Sequence, residues 1–142
     1  MNEETRPGLG ELLRYVGELV EQGSEDCYRT LGLDYRPRYT PVMRALSAGA
    51  ETVTEIVARS YLTQGAISQT VALMARDGLI EHHALGDGRK NGIHLTPKGR
   101  NLLAKLVRQW DTIYRAIEAL ENETGFPLLR ALEETARALE RK

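Results

Sequence analysis

The sequence predicts a mainly α protein: a winged helix-turn-helix core with a two-stranded β wing, flanked by N- and C-terminal dimerisation helices. Three observations carry that prediction. Apolar residues recur at helical spacing through most of the chain. Between Thr52 and Asp77 two short amphipathic stretches meet at a tight corner, Tyr61-Leu62. Two strand-like runs follow directly, separated by a Gly-rich basic tip, Gly86-Asp87-Gly88-Arg89-Lys90-Asn91-Gly92.

In chain order, Leu9, Leu12, Leu13, Val16, Leu19, Val20, Cys27 and Leu31 fall on a helical stripe interrupted by Gly23-Ser24. One long helix is expected, bent at Gly23, or else two helices divided there. Gly32 suits the left-handed residue that ends it, with Leu33 folding back. Asp34 to Tyr39 reads as a loop, since Pro37 and Pro41 break helical continuity. Thr40-Pro41 then starts a short helix by the N-cap and first-turn proline rule, with Val42, Ala45 and Leu46 inward and Gly49 at its end. Arg36, Arg38 and Arg44 near its start fit phosphate contact or a solvated face equally well.

Thr52 and Glu55 have the spacing of a capping box, and Val53, Ile56 and Val57 form a buried stripe behind them. Thr63 is the N-cap of the next helix, which runs to about Asp77 and stops at Gly78. Ile67, Val71, Met74 and Ala75 face inward, leaving Gln64, Gly65, Ser68, Gln69, Ala72 and Arg76 outward. A helix that merely decorates a surface is usually rich in Glu and Lys; this one offers small residues, amides and a hydroxyl. Small residues allow close approach to the floor of a DNA groove. Gln can bond an adenine edge in bidentate fashion, and Ser can reach bases or phosphate. The blander alternative is a polar surface helix, and the wing that follows argues against it.

Leu79 to His83 and Ile93 to Thr96 read as the wing strands. Arg89 and Lys90 stand at the tip, where a guanidinium can enter the minor groove and an ammonium can meet phosphate. Asp87 is placed to brace Arg89 by a charged hydrogen bond. Thr96-Pro97 repeats the helix-start signal, and the helix it opens should run to about Asn122. Its apolar positions are Leu102, Leu103, Leu106, Trp110, Ile113, Ile117 and Leu120, stepping like a coiled-coil seam from Leu106 onward. Gly125 and Pro127 turn the chain into a last helix carrying Leu128, Leu129, Leu132, Ala136 and Leu139. The terminal helices present more apolar face than one small core can bury. That excess implies a second copy under two-fold symmetry, with outward helices roughly 34 Å apart, one turn of B-DNA.

Composition narrows the class further. The 142 residues carry a net charge of −1, which does not advertise a nucleic-acid binder. Its distribution does: residues 1–35 hold 3 basic and 8 acidic side chains, 36–100 hold 9 and 5, and 101–142 hold 7 and 7. Positive charge is therefore concentrated around the helix-turn-helix. The chain is expected to divide into an N-terminal dimerisation helix (1–35), a DNA-binding lobe (36–99) and C-terminal dimerisation helices (100–142). No secretory signal or apolar run of membrane-spanning length is present, so a cytoplasmic protein is expected. The single Cys27 excludes an internal disulfide.

From Thr52 to Gly99 the sequence resembles the MarR family of winged-helix regulators. The shared marks are Ala66-Ile67-Ser68-Gln69-Thr70-Val71, the exit Arg76-Asp77-Gly78-Leu79-Ile80, the Asp87-x-Arg89 wing, and Leu95-Thr96-Pro97-Lys98-Gly99-Arg100. Gly88 and Asn91-Gly92 depart from that family's more Arg-rich wing tip. The resemblance implies a homodimeric repressor that leaves a near-palindromic DNA site when a small aromatic or phenolic compound binds. By that analogy Tyr15, Tyr28, Tyr35, Tyr39 and Trp110 are candidates for the pocket, with ordinary packing as the alternative. One family branch senses peroxides through a helix-borne cysteine, which makes Cys27 a redox candidate. Glu25 and Asp26 beside it disfavour the thiolate and Arg29 favours it.

His82, His83 and His94 invite a metal hypothesis, but adjacent strand residues point to opposite faces, so His82 and His83 do not share an ion. No metal or other cofactor is expected. No nucleophile-base arrangement, phosphate-cradling glycine loop or paired carboxylate is apparent, so no enzymatic role is expected either. A winged-helix dimer serving protein assembly without DNA is the alternative from another class.

Overall fold

The computed structural model describes residues 5–33, 35–84, 86 and 92–142. They contain six α-helices, a 3-10 turn and one two-stranded antiparallel sheet. The chain divides into two compact units, Met1–Gly99 and Arg100–Lys142.

In the first unit, α1 (Leu9–Thr30) is a single helix of 22 residues. It runs unbroken through Gly23, so the two-helix alternative falls. One interior glycine costs only about 1 kcal/mol, which good helix formers on either side offset. The end is as expected: the Gly32 N–H donates to Arg29 O (2.9 Å) and the Leu33 N–H to Tyr28 O (3.0 Å), closing the paired bonds of a left-handed stop. Only Tyr28 on this helix is buried. Leu12, Leu13, Val16, Leu19 and Val20 are all exposed.

The expected loop after α1 contains a 3-10 turn, Pro37–Tyr39, that passes directly into α2 (Thr40–Ser47). Pro37 opens the turn, where a missing N–H loses nothing. α2 buries Val42, Ala45 and also Met43, while Leu46 is half-buried. It is thus covered on a broader face than its apolar spacing indicated.

α3 (Val53–Ala58) and α4 (Gln64–Arg76) form the helix-turn-helix. The Thr52 hydroxyl accepts the Glu55 N–H at 3.1 Å, while the Glu55 carboxylate accepts the Glu51 N–H at 2.6 Å, one residue earlier than a standard capping box. β1 (Ile80–His83) pairs with β2 (Gly92–Leu95) in the register Ile80↔Leu95, Glu81↔His94, His82↔Ile93, His83↔Gly92. Leu79 falls outside the strand because its N–H, donating to Met74 O at 2.9 Å, completes the helix stop at Gly78. A tie with no strand signature in the sequence joins the wing to the start of α3. Thr52 bridges Gly92, and the Ile93 N–H donates to Glu51 O at 2.8 Å.

Val42, Met43, Ile56, Ile67, Met74, Ile80 and Ile93 make the core of this unit. Burying each such side chain contributes about 1.5–3 kcal/mol. Three hydrogen bonds of Thr96 tie the unit together where the wing returns. The Thr96 hydroxyl donates to Gly78 O (2.6 Å) and accepts the Gly99 N–H (3.1 Å), while the Thr96 N–H donates to Leu79 O (3.0 Å).

α5 (Pro97–Thr124) opens there and, with α6 (Leu128–Glu140), supplies the second unit. Leu106 and Trp110 are buried on α5, whereas α6 buries nothing and leaves Leu129, Leu132 and Leu139 exposed. The Glu121 carboxylate accepts the Leu129 N–H at 3.1 Å, capping the first turn of α6 in place of Pro127. Among the described residues, no helix is long and apolar enough to cross a membrane.

Candidate nucleic-acid interface

The outward face of α4 follows from what its inward face must bury. Ile67, Thr70, Val71 and Met74 are buried, with Ala75 half-buried. Their spacing forces Gln64, Gly65, Ser68, Gln69, Ala72 and Arg76 into solvent, and all six are exposed. The 13 residues of α4 include no carboxylate to repel phosphate. At its start the Thr63 hydroxyl accepts the Ala66 N–H at 3.1 Å and keeps its own proton to donate. Polar groups without charge and a small-residue front are what a groove floor admits.

Basic residues near this face divide into two kinds. Arg59 is partly engaged by backbone: its Nη1 donates to Ala48 O (2.9 Å) and Ala45 O (3.4 Å), setting a cation on the negative end of α2. Lys98 does the same for α4, with Nζ donating to Asp77 O at 2.8 Å. Sequence reasoning assigned neither of these roles. The signal available for Lys98 was the glycine stop at Gly78; for Arg59 there was none, because its acceptors lie 11 and 14 residues back. Arg36, Arg38 and Arg76 are exposed.

Three tyrosines cluster together. Tyr28 and Tyr35 meet edge to face with ring centroids 4.7 Å apart, and Tyr35 and Tyr39 do so at 6.2 Å. The Tyr35 hydroxyl bonds that of Thr40 at 2.6 Å, and the Tyr39 hydroxyl donates to Asp77 Oδ2 at 2.6 Å. Burial holds the Tyr35 phenol well above the usual tyrosine range. Burial, and then the bond to Asp77, raises Tyr39 likewise, so both remain protonated at neutral pH.

Tyr35 also lines an open cleft of about 460 Å³, whose other walls are Glu21, Glu25, Arg29, Leu33, Arg36, Pro37 and Arg38. Of the five aromatics singled out in the sequence, Tyr35 alone lines it. Tyr28 and Tyr39 pack against Tyr35, Tyr15 is exposed on α1, and Trp110 is buried on α5. Charged side chains dominate the walls, where aromatic ones were expected. Cys27 is half-buried on α1.

In the wing, His83 Nδ1 lies 2.8 Å from His94 Nδ1, and His94 Nε2 lies 3.3 Å from Glu81 Oε2. This cross-strand trio was not legible without the register, which sets Glu81 opposite His94. Among the described residues, no group of three or more potential ligands is arranged to hold a metal ion. Asp87, Arg89 and Lys90 lie outside the described residues.

Residues 32–90, spanning the helix-turn-helix and most of the wing, match the family model described as MarR family. Over that stretch the chain is similar to the MarR family. Among solved structures, a MarR family transcriptional regulator from Silicibacter pomeroyi is similar at 23% identity and a TM-score of 0.67, over 92% of this chain and 94% of that one. The M. tuberculosis transcriptional regulator MOSR, solved in complex with DNA, is 23% identical with a TM-score of 0.76, over 95% and 98%. BpsR of Bordetella bronchiseptica, whose DNA binding is regulated by 6-hydroxynicotinic acid, is 17% identical with a TM-score of 0.62, over 82% and 81%. At these identities the structural likeness fixes the fold alone, and the likeness to the MarR family lies in the sequence of residues 32–90. No curated protein matches the sequence.

Proposed function

We propose that this chain is a MarR family regulator and binds duplex DNA sequence-specifically as a homodimer on a near-palindromic operator. In this reading it is a cytoplasmic repressor rather than an enzyme. The observation that carries it is the exposed, carboxylate-free face of α4. Gln64, Ser68 and Gln69 read base edges there, Gly65 lets the backbone approach, and Thr63 and Arg76 fix the register on phosphate. Arg89, braced by Asp87, takes the minor groove while Lys90 meets phosphate. The exposed apolar stripe of α1 supports the dimer, because a second copy is what most simply covers it.

Release by a small aromatic or phenolic effector belongs to the same reading. Regulation of the structurally similar BpsR by 6-hydroxynicotinic acid supports it.

Substituting Gln69 tests the reading. Gln69→Ala is expected to cost roughly 1–3 kcal/mol on a cognate duplex and to relax selectivity at one base pair. Binding curves on matched and scrambled duplexes decide the matter. Equal weakening on both would contradict base reading, and no binding to either by the unmodified protein at low salt would favour a protein-assembly role.

A further inference from the structure

Asp77 stands where electrostatics opposes it. The carbonyl end of a helix carries roughly half a negative elementary charge, so an acid at the C-cap of α4 destabilises its own helix. Its counterpart is Tyr39, which donates its hydroxyl proton to Asp77 Oδ2 over 2.6 Å. Tyr39 is 2% exposed, and a buried phenol requires an acceptor. The bond spans 38 residues of chain and joins the end of the 3-10 turn to the exit of α4. In addition, Lys98 Nζ donates to Asp77 O at 2.8 Å and the Thr96 hydroxyl to Gly78 O at 2.6 Å. The exit of α4 is therefore clamped through its side chain by Tyr39 and through its backbone by Thr96 and Lys98.

We propose that Tyr39 is a positioning residue for DNA reading: its bond to Asp77 sets the tilt of α4, and hence the approach of Gln64, Ser68 and Gln69 to base edges. The lever arm makes a small tilt matter. At 1.5 Å per residue α4 is about 20 Å long, so a tilt of about 5° at its exit moves the far end about 1.7 Å. A base-edge hydrogen bond does not survive such a displacement. The inference rests on the DNA-reading function above and goes beyond it, since Tyr39 is itself buried and has no place in the groove.

The probe is a duplex selected from random sequence by repeated rounds of binding to the unmodified protein, with a scrambled duplex of equal composition as reference. Tyr39→Phe is expected to lower the ratio of selected to scrambled affinity about tenfold, a typical coupling between distant groups. Asp77→Ala, which removes the acceptor from an exposed position, is expected to lower that ratio equally, and the double variant no further. Asp77→Asn, whose amide oxygen still accepts, should retain most of it. A phenol of purely structural importance would lower the melting temperature and leave the ratio unmoved when measured well below melting. That result, or additive losses in the double variant, overturns the proposal. If Tyr39→Phe does not fold, Asp77→Ala against Asp77→Asn decides alone, and equal ratios for the two overturn it. Failure of the unmodified protein to select any duplex overturns the DNA-reading function itself, which keeps the two failures distinct.

Discussion

Gly99→Ala is expected to destabilise the protein by about 3 kcal/mol or more, at the upper end of what overpacking a well-ordered joint costs. A Cβ at this position would sit 2.1 Å from Leu79 O and 3.1 Å from both Leu79 C and Leu95 Cδ2. The nearest of these is a backbone carbonyl that cannot swing aside, because it accepts the Thr96 N–H at 3.0 Å. Alanine is the better helix former by about 1 kcal/mol, so propensity alone predicts stabilisation. The clash decides the sign. Thermal melting followed by circular dichroism should show the midpoint falling by about 10 °C for a chain of this size. An unchanged or raised midpoint would mean that α5 can draw away from Leu79 at little cost, and that the joint at Thr96 is looser than its hydrogen bonds imply.

The second large effect is expected on assembly. Val16 and Leu19 of α1 are 43% and 51% exposed in the single chain. Replacing both with Glu removes little packing from the protomer and charges the face that a second copy would cover. Val16→Glu with Leu19→Glu should give a folded monomer by sedimentation. Losing the second half-site should weaken operator binding by about 100-fold or more, since two linked sites gain that much from effective concentration alone. A variant that stays dimeric would move the interface off α1. A monomer with undiminished affinity would remove the need for paired half-sites.

How much of this was legible in the sequence follows from the range of the forces involved. Helices declared by period and cap were readable: Thr52, Thr63 and Gly78 bound the helix-turn-helix as their local chemistry requires, and Gly32 ends α1. So was the outward face of α4, which is fixed once Ile67, Val71 and Met74 are turned inward. What depended on residues distant in sequence was not readable. Met43 was not among the inward residues that apolar spacing picked out on α2, yet the helix is covered broadly enough to bury it. Tyr39 and Asp77 meet across 38 residues, and Arg59 caps a helix that ended before its own began. The steric role of Gly99 in the first turn of α5 had no signal either, because a close backbone approach leaves no periodic trace. The family resemblance, with no residue pattern of its own, suggested an aromatic pocket; in the cleft beside Tyr35 burial withdraws Tyr28 and Tyr39 from the surface and leaves arginines and glutamates on the walls.

The account stands most directly on a footprint of the unmodified protein, at low ionic strength, on a duplex it has itself selected from random sequence. The expected pattern is two related, inverted half-sites about one helical turn apart, each protected in the major groove. A single protected half-site, or no enriched sequence at all, would contradict the claim that two copies of α4 read DNA together.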